Sequence, residues 1–135
     1  MQSLPQTARP QPLKLHADSA SALNTVTAYG PGFIEINRVR HEGAILLMPE
    51  GPVAAWPFAS LDALAQADFA TLLARQPEVI LLGTGPHQRF PHPRLTAPIA
   101  AARIGLDVMT TPAACRTYNI LMAEGRKVLA ALLPA

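Results

Sequence analysis

Residues 79–93 read VILLGTGPHQRFPHP. Four aliphatic residues in a row, cut off by Gly83-Thr84-Gly85, predict a strand over Glu78–Gly83 that is buried on both faces. Gly-Thr-Gly after a strand is also how many nucleotide loops begin. A dinucleotide loop, however, needs G-x-G-x-x-G running directly into a helix whose first turn holds the phosphate. Here Gln88 stands where the third glycine belongs, and Pro86, Pro91 and Pro93 prevent an early helix. Asp107 lies at the right distance for a ribose contact, but it opens its strand instead of closing it. No Gly-Lys-Ser/Thr follows, so a P-loop is excluded too. The stretch reads as a strand exit in which glycine relieves the backbone.

C-terminal to this strand, helix and strand signals alternate. TAPIAAARIG, residues 96–105, predicts a helix capped by Thr96, with Pro98 in its first turn and Gly105 as its left-handed stop. LDVM, residues 106–109, is the next strand. TTPAACRTYNILMAEG, residues 110–125, predicts a helix with Thr111 as N-cap, Pro112 at the first helical position and Gly125 as terminator. RKVLAALL, residues 126–133, has a spacing that fits either helix or strand; because it follows a helix stop directly, it reads as a closing strand. The C-terminal half is therefore βαβαβ, which implies parallel strands with right-handed crossovers.

The N-terminal half has a different rhythm. TVTAY, Phe33–Ile36, AILLMP and VAAW are short β-rich runs between turn signals at Gly30–Gly32, Asn37 and Pro49–Pro52, an antiparallel meander. Ser60 is placed to cap a short helix at LDAL, with Asp62 in its first turn, and DFATLLARQ adds one or two turns before Pro77. The expectation is a single three-layer α/β domain over residues 21–135, built on a mixed sheet. Residues 1–20, rich in proline and glutamine and without a hydrophobic signal region, read as a disordered tail.

Composition limits the function classes. The chain has 135 residues, half of them hydrophobic and 15% charged, with a formal net charge of +2, which fits one globular domain with a real core. From Ile80 onward six basic residues face only Asp107 and Glu124. That basic half suits an anionic ligand or acidic partner, but it is too sparse, and too poor in interleaved aromatics, for nucleic acid. Cys115 is the only cysteine, so no intrachain disulfide forms. No apolar run approaches the length of a membrane span. The alanine- and arginine-rich usage reads as a bacterial cytoplasmic protein.

If the strands ending at Gly83 and Met109 pair, the loop 83–93 and the segment 110–116 face each other across a crevice. Open α/β sheets put ligands in such places. His87 and His92 share the loop, but two histidines without a nearby carboxylate or thiol do not make a metal site, and no metal or cofactor is expected. Cys115 near a helix start, with Arg116 beside it, is the sharpest enzymatic reading, a thiol nucleophile; packing of a small residue between helix and sheet is the favoured one. Arg116, Tyr118, Asn119, Glu124 and Arg126 are many polar groups for a buried helix. They serve either as structural bonds, with Glu124 and Arg126 a pair, or as a ligand shelf. Trp56 and Phe58 read as core edge or partner contact.

YGPGFIEIN, LLMPEGPVAAW, PEVILLGTG and MTTPAACRTYNILMAEGRKVLAAL, taken in this order, resemble a domain-of-unknown-function family of small α/β proteins. That family includes the mitochondrial assembly factor 3 of respiratory complex I (NADH:ubiquinone oxidoreductase), and the resemblance runs from about Thr25 to the C-terminus. It implies a three-layer α/β fold around a mixed sheet and supplies neither an agreed activity nor an established cofactor. Its motif positions fall on Gly83, Thr84, Gly85, Thr110, Thr117, Tyr118, Asn119, Glu124, Gly125 and Arg126. Two departures stand out. Asn37-Arg38 replaces the usual Asn-Gly, which implies a wider hairpin, and the loop PHQRFPHP is unusually rich in proline. The resulting expectation is a non-enzymatic binding or assembly protein whose partners are subunits of a respiratory or membrane complex. The alternative is a small-ligand binder or enzyme using the crevice. The candidate residues are Gly83, Thr84, Gly85, Gln88, Arg89, Thr110, Cys115, Arg116, Tyr118, Asn119, Glu124 and Arg126.

Overall fold

A computed structural model describes residues 23–135; the expected tail lies outside the described residues. Eight strands among these described residues form two sheets. β1 (Val26–Gly30), β2 (Phe33–Ile36) and β3 (Val39–Glu42) make a small antiparallel sheet in chain order. β4 (Ile45–Leu47), β5 (Ala54–Ala55), β6 (Val79–Gly83), β7 (Gly105–Met109) and β8 (Val128–Leu132) make a mixed sheet in the order β5-β4-β8-β6-β7. The N-terminal meander is thus divided between two sheets. β6, β7 and β8 are parallel, and β4 runs antiparallel to β8. The strand read as closing the chain is therefore the centre of the sheet. Its VLAAL sequence is buried throughout because both faces are covered.

Side-chain alternation sorts the core into two clusters. Ile45, Leu47, Leu81, Val128, Ala130 and Leu132 point to one face, where helix α3 (Thr111–Ala123) and the small sheet cover them. Leu46, Ile80, Leu82, Leu129, Ala131 and Leu133 point to the other, beneath α1 (Gln66–Ala70), α2 (Pro93–Ala101) and the 3-10 turns at Leu61–Ala63 and Thr71–Arg75. The period-2 pattern of three adjacent strands produces the expected three layers directly. Trp56 is buried in the second cluster and meets Phe58 edge-to-face at 5.5 Å.

The expected caps and turns fail at five places. Ser60 precedes the 3-10 turn at Leu61–Ala63, but its side chain makes no cap hydrogen bond there, and only its carbonyl is used, accepting from Ala63 N. Helix α2 starts at Pro93, and the His92 ring, not Thr96, caps it by accepting from Arg94 N at 3.0 Å. Pro98 then lies inside the helix and has no N–H to offer the Arg94 carbonyl. Gln66 Nε2 donates to that carbonyl at 2.8 Å instead. Arg103, at φ 60°, takes the left-handed position expected of Gly105, which opens β7. Thr110 caps α3, with Ala113 N donating to its hydroxyl, and this frees Thr111 for another role. The other end of α3 follows the sequence: Gly125 has φ 82°, Gly125 N donates to Met122 O and Arg126 N to Leu121 O, a Schellman stop. Finally, Asn37 and Arg38 form a tight two-residue hairpin, not a wider one. Both take positive φ (50° and 69°) with Ile36 paired to Val39, and Thr25 N donates to the Asn37 side chain, which holds the turn.

Candidate functional site

Parallel pairing of β6 with β7 sets Gly83 opposite Met109, so the loop after β6 and the start of α3 do meet at the carboxyl end of the sheet. The space between them is filled by the chain itself. Thr84 N donates to Met109 O, Thr111 N to Gly85 O, and Leu133 N to Gly83 O. Thr111, fully buried, accepts from Gly85 N at 2.8 Å and donates to Leu133 O at 2.7 Å, tying three chain segments through one hydroxyl. A side chain at Gly83 would stand 2.9 Å from Thr111 Oγ1 and 3.0 Å from its Cα, so only glycine permits this approach. The Thr84 and Gly85 amides, which a phosphate loop would present to its ligand, are both donating within the protein.

The rest of the loop is tied by more exposed contacts. Thr84 Oγ1 donates to His87 O at 2.7 Å and accepts from Arg89 N at 3.1 Å. Gln88 Nε2 donates to Val108 O at 3.0 Å, covering the exposed edge of β7. Arg89 pairs with Asp62 at 2.6 Å; its hydrogen bond and charge hold the Asp62 carboxyl below the ordinary range. Outside these ties a shallow cleft of about 230 Å3 remains between Ser60, Thr84, Pro86, His87, Arg89 and Pro134. Phe90 projects beside Arg89, 71% exposed.

Cys115, Arg116, Tyr118 and Asn119 lie further along α3, at its seam with β1. Asn119 Oδ1 accepts from Val26 N and its Nδ2 donates to Val26 O, both at 2.9 Å, so the amide acts as an extra strand partner. The Tyr118 hydroxyl donates to Asn24 O at 2.7 Å, and burial raises its pKa. Arg116 Nη1 donates to the Tyr29 hydroxyl at 2.8 Å. Cys115 is buried, and desolvation, opposed only in part by the Arg116 charge, pushes its thiol up to about 12. A nucleophilic thiol needs the opposite shift. Glu124 and Arg126 lie past the far end of α3, where β8 begins beside the start of β6. They do not pair with each other: Arg126 Nε donates to Glu78 at 2.9 Å.

The twelve candidate residues therefore occupy three places. Gly83, Thr84, Gly85, Gln88, Arg89 and Thr110 meet at the carboxyl end of the parallel strands. Cys115, Arg116, Tyr118 and Asn119 line the seam, and Glu124 and Arg126 lie at the opposite end of the sheet. Sequence reasoning missed the central role of Thr111, because either threonine of a Thr-Thr-Pro start can cap. It also missed Asn24, whose Nδ2 donates to Met48 O and Gly51 O. Among the described residues no group of three or more His, Cys, Asp or Glu side chains is arranged to hold a metal, and no helix is long and apolar enough to cross a membrane.

Residues 26–133 match the model of a family described as protein of unknown function (DUF498/DUF598). An uncharacterised protein of Rhodobacter capsulatus is 37% identical over 109 residues, covering 81% of this chain and 83% of that one. The NADH dehydrogenase (ubiquinone) 1 alpha subcomplex assembly factor 3 of Bos taurus is 30% identical over 128 residues, 93% of this chain. The match spans only 64% of that relative's own length. The solution structure of a Bordetella pertussis protein described as an Mth938-like domain superimposes with a TM-score of 0.74 at 40% identity, covering 97% of this chain and 92% of the other.

Proposed function

The chain belongs to the DUF498/DUF598 family of proteins of unknown function, and from that premise we propose that it is a non-enzymatic binding factor. In this reading it helps a respiratory or membrane complex to mature, in a bacterial cytoplasm. The relation to a complex I assembly factor supplies the kind of partner. The observation that carries the reading is the loop 86–93. It presents Phe90 to solvent on a backbone fixed by Thr84, Gln88, the Arg89–Asp62 pair and the His92 cap. Exposed large aromatics carry much of the energy of protein interfaces, and the ties on either side of Phe90 reduce the backbone entropy lost on docking. The small-ligand alternative at the carboxyl-end crevice is weaker. The cleft beside the loop, about 230 Å3, is below the usual range for ligand pockets, and the one thiol is buried and held protonated.

The test is an affinity pull-down of the full tagged chain from detergent-treated extract of its own cells, comparing wild type with Phe90→Ala. Recovery of membrane-complex subunits by the wild type, lost in a variant whose melting temperature is unchanged, supports the reading. No such subunits with the wild type, or equal recovery with the variant, ends it.

A further inference from the structure

A second concavity lies at the amino end of the parallel strands, away from the loop 86–93. It encloses about 530 Å3 between the segment after β4, the last turn of α3 and the turn into β8. Leu23, Met48, Pro49 and Met122 form an apolar lining, and Arg126, Lys127 and Glu50 form its rim. The volume lies within the range of small-molecule sites, whereas the loop cleft falls short of it. Two methionines in such a wall supply an apolar surface that adapts to different chain shapes.

The rim is asymmetric. On the side of α3 and β8, Arg126 and Lys127 are adjacent; Glu78 pairs with Arg126, Glu124 lies two positions before it at the end of α3, and Glu50 is the acid in the rim itself. Arg126 reaches Glu78 through Nε, and among the described residues its terminal guanidinium nitrogens have no protein partner. The Lys127 side chain is in no ion pair there, while its main-chain carbonyl is fixed by Glu78 N. Two donors of positive charge over a methionine-lined hollow suit a molecule with an apolar body and a single anionic end. We propose that this cleft binds a small aliphatic carboxylate, with the chain against Met48 and Met122 and the carboxylate at Arg126 and Lys127. The site shares no residue with the docking loop, so either proposal can fail without the other.

Methyl NMR of the full chain with labelled methionines, titrated with decanoate below its micelle concentration, tests this directly. The Met48 and Met122 methyls are expected to shift with saturation, and the Met109 methyl, at the far end of β7, to stay unmoved. Decanol should bind more weakly than decanoate. Lys127→Glu should weaken decanoate by about fivefold or more. Lys127→Gln, which keeps new charge away from Glu78, should weaken it in the same direction. Absence of saturable shifts at Met48 and Met122 overturns the site. Equal binding of decanol and decanoate, or no loss in either lysine variant, overturns the anionic ligand class.

Discussion

The two ends of the five-stranded sheet are built on opposite terms. At the carboxyl end of the parallel strands, where ligand crevices belong in this architecture, Thr111, Gly83, Gly85 and Leu133 close on one another. At the amino end, the same strands leave a methionine-lined hollow with Arg126, Lys127 and Glu50 at its rim. The conventional place for a site has been converted into a structural knot, and open space has been moved to where the fold does not require it. A fold locates the crevice, but the residues at its mouth decide whether it stays open.

Thr111→Val should have the largest effect at the carboxyl end. Valine keeps the shape and removes the hydroxyl, which leaves the Gly85 N–H and the Leu133 carbonyl unpaired in a fully buried place. Two orphaned buried groups predict a loss of about 3 kcal/mol, read by urea unfolding. A change no larger than that of an exposed substitution would mean that the carboxyl end is not the knot described here.

Asn119→Ala probes the seam between the two ends. It removes both hydrogen bonds to Val26 and should cost about 1–2 kcal/mol. Because the contact is local, hydrogen exchange should speed up in β1 more than in β8. Uniform acceleration would show that the small sheet and the large one open as one unit.

The depth of the seam can be read from pH. The Cys115 thiol is held up to about 12 when folded and returns to its ordinary value when unfolded. Above that ordinary value the unfolded state releases a proton that the folded state keeps, so stability must fall as pH rises from about 9 toward 12. The loss should reach about 1 kcal/mol by pH 9.5 and should be absent in Cys115→Ala. Equal pH slopes in the two proteins would place the thiol in contact with water.

These contrasts also mark what the sequence made legible. The continuous apolar runs at Ile45–Leu47 and Val79–Gly83 announced buried strands, the helix stop at Gly125 announced the strand Val128–Leu132, and alternation of helix and strand in the C-terminal half announced parallel crossovers. The order of strands was hidden, since VLAALL reads the same at the edge or the centre. Capping at α2 was hidden because a histidine ring took the place of a threonine hydroxyl. The division of the candidate residues has a geometric cause. A 13-residue helix is about 20 Å long, so one contiguous motif reaches from one end of the sheet to the other. Thr110 and Arg126, close in sequence pattern, belong to different surfaces.

The smallest expected effect lies at the open end, and it bears most directly on the contrast. Arg126 and Glu78 are both about half exposed, so solvent screens their pair. Arg126→Ala should leave the melting temperature unchanged within error. It should also let the Glu78 carboxyl, now held low chiefly by its hydrogen bond with Arg126, titrate at higher pH by NMR. A clear drop in stability would make Arg126 part of the scaffold, as Thr111 is at the other end. Unchanged stability leaves its position at the mouth of the hollow unexplained by folding, and that is the condition under which a residue is available for binding.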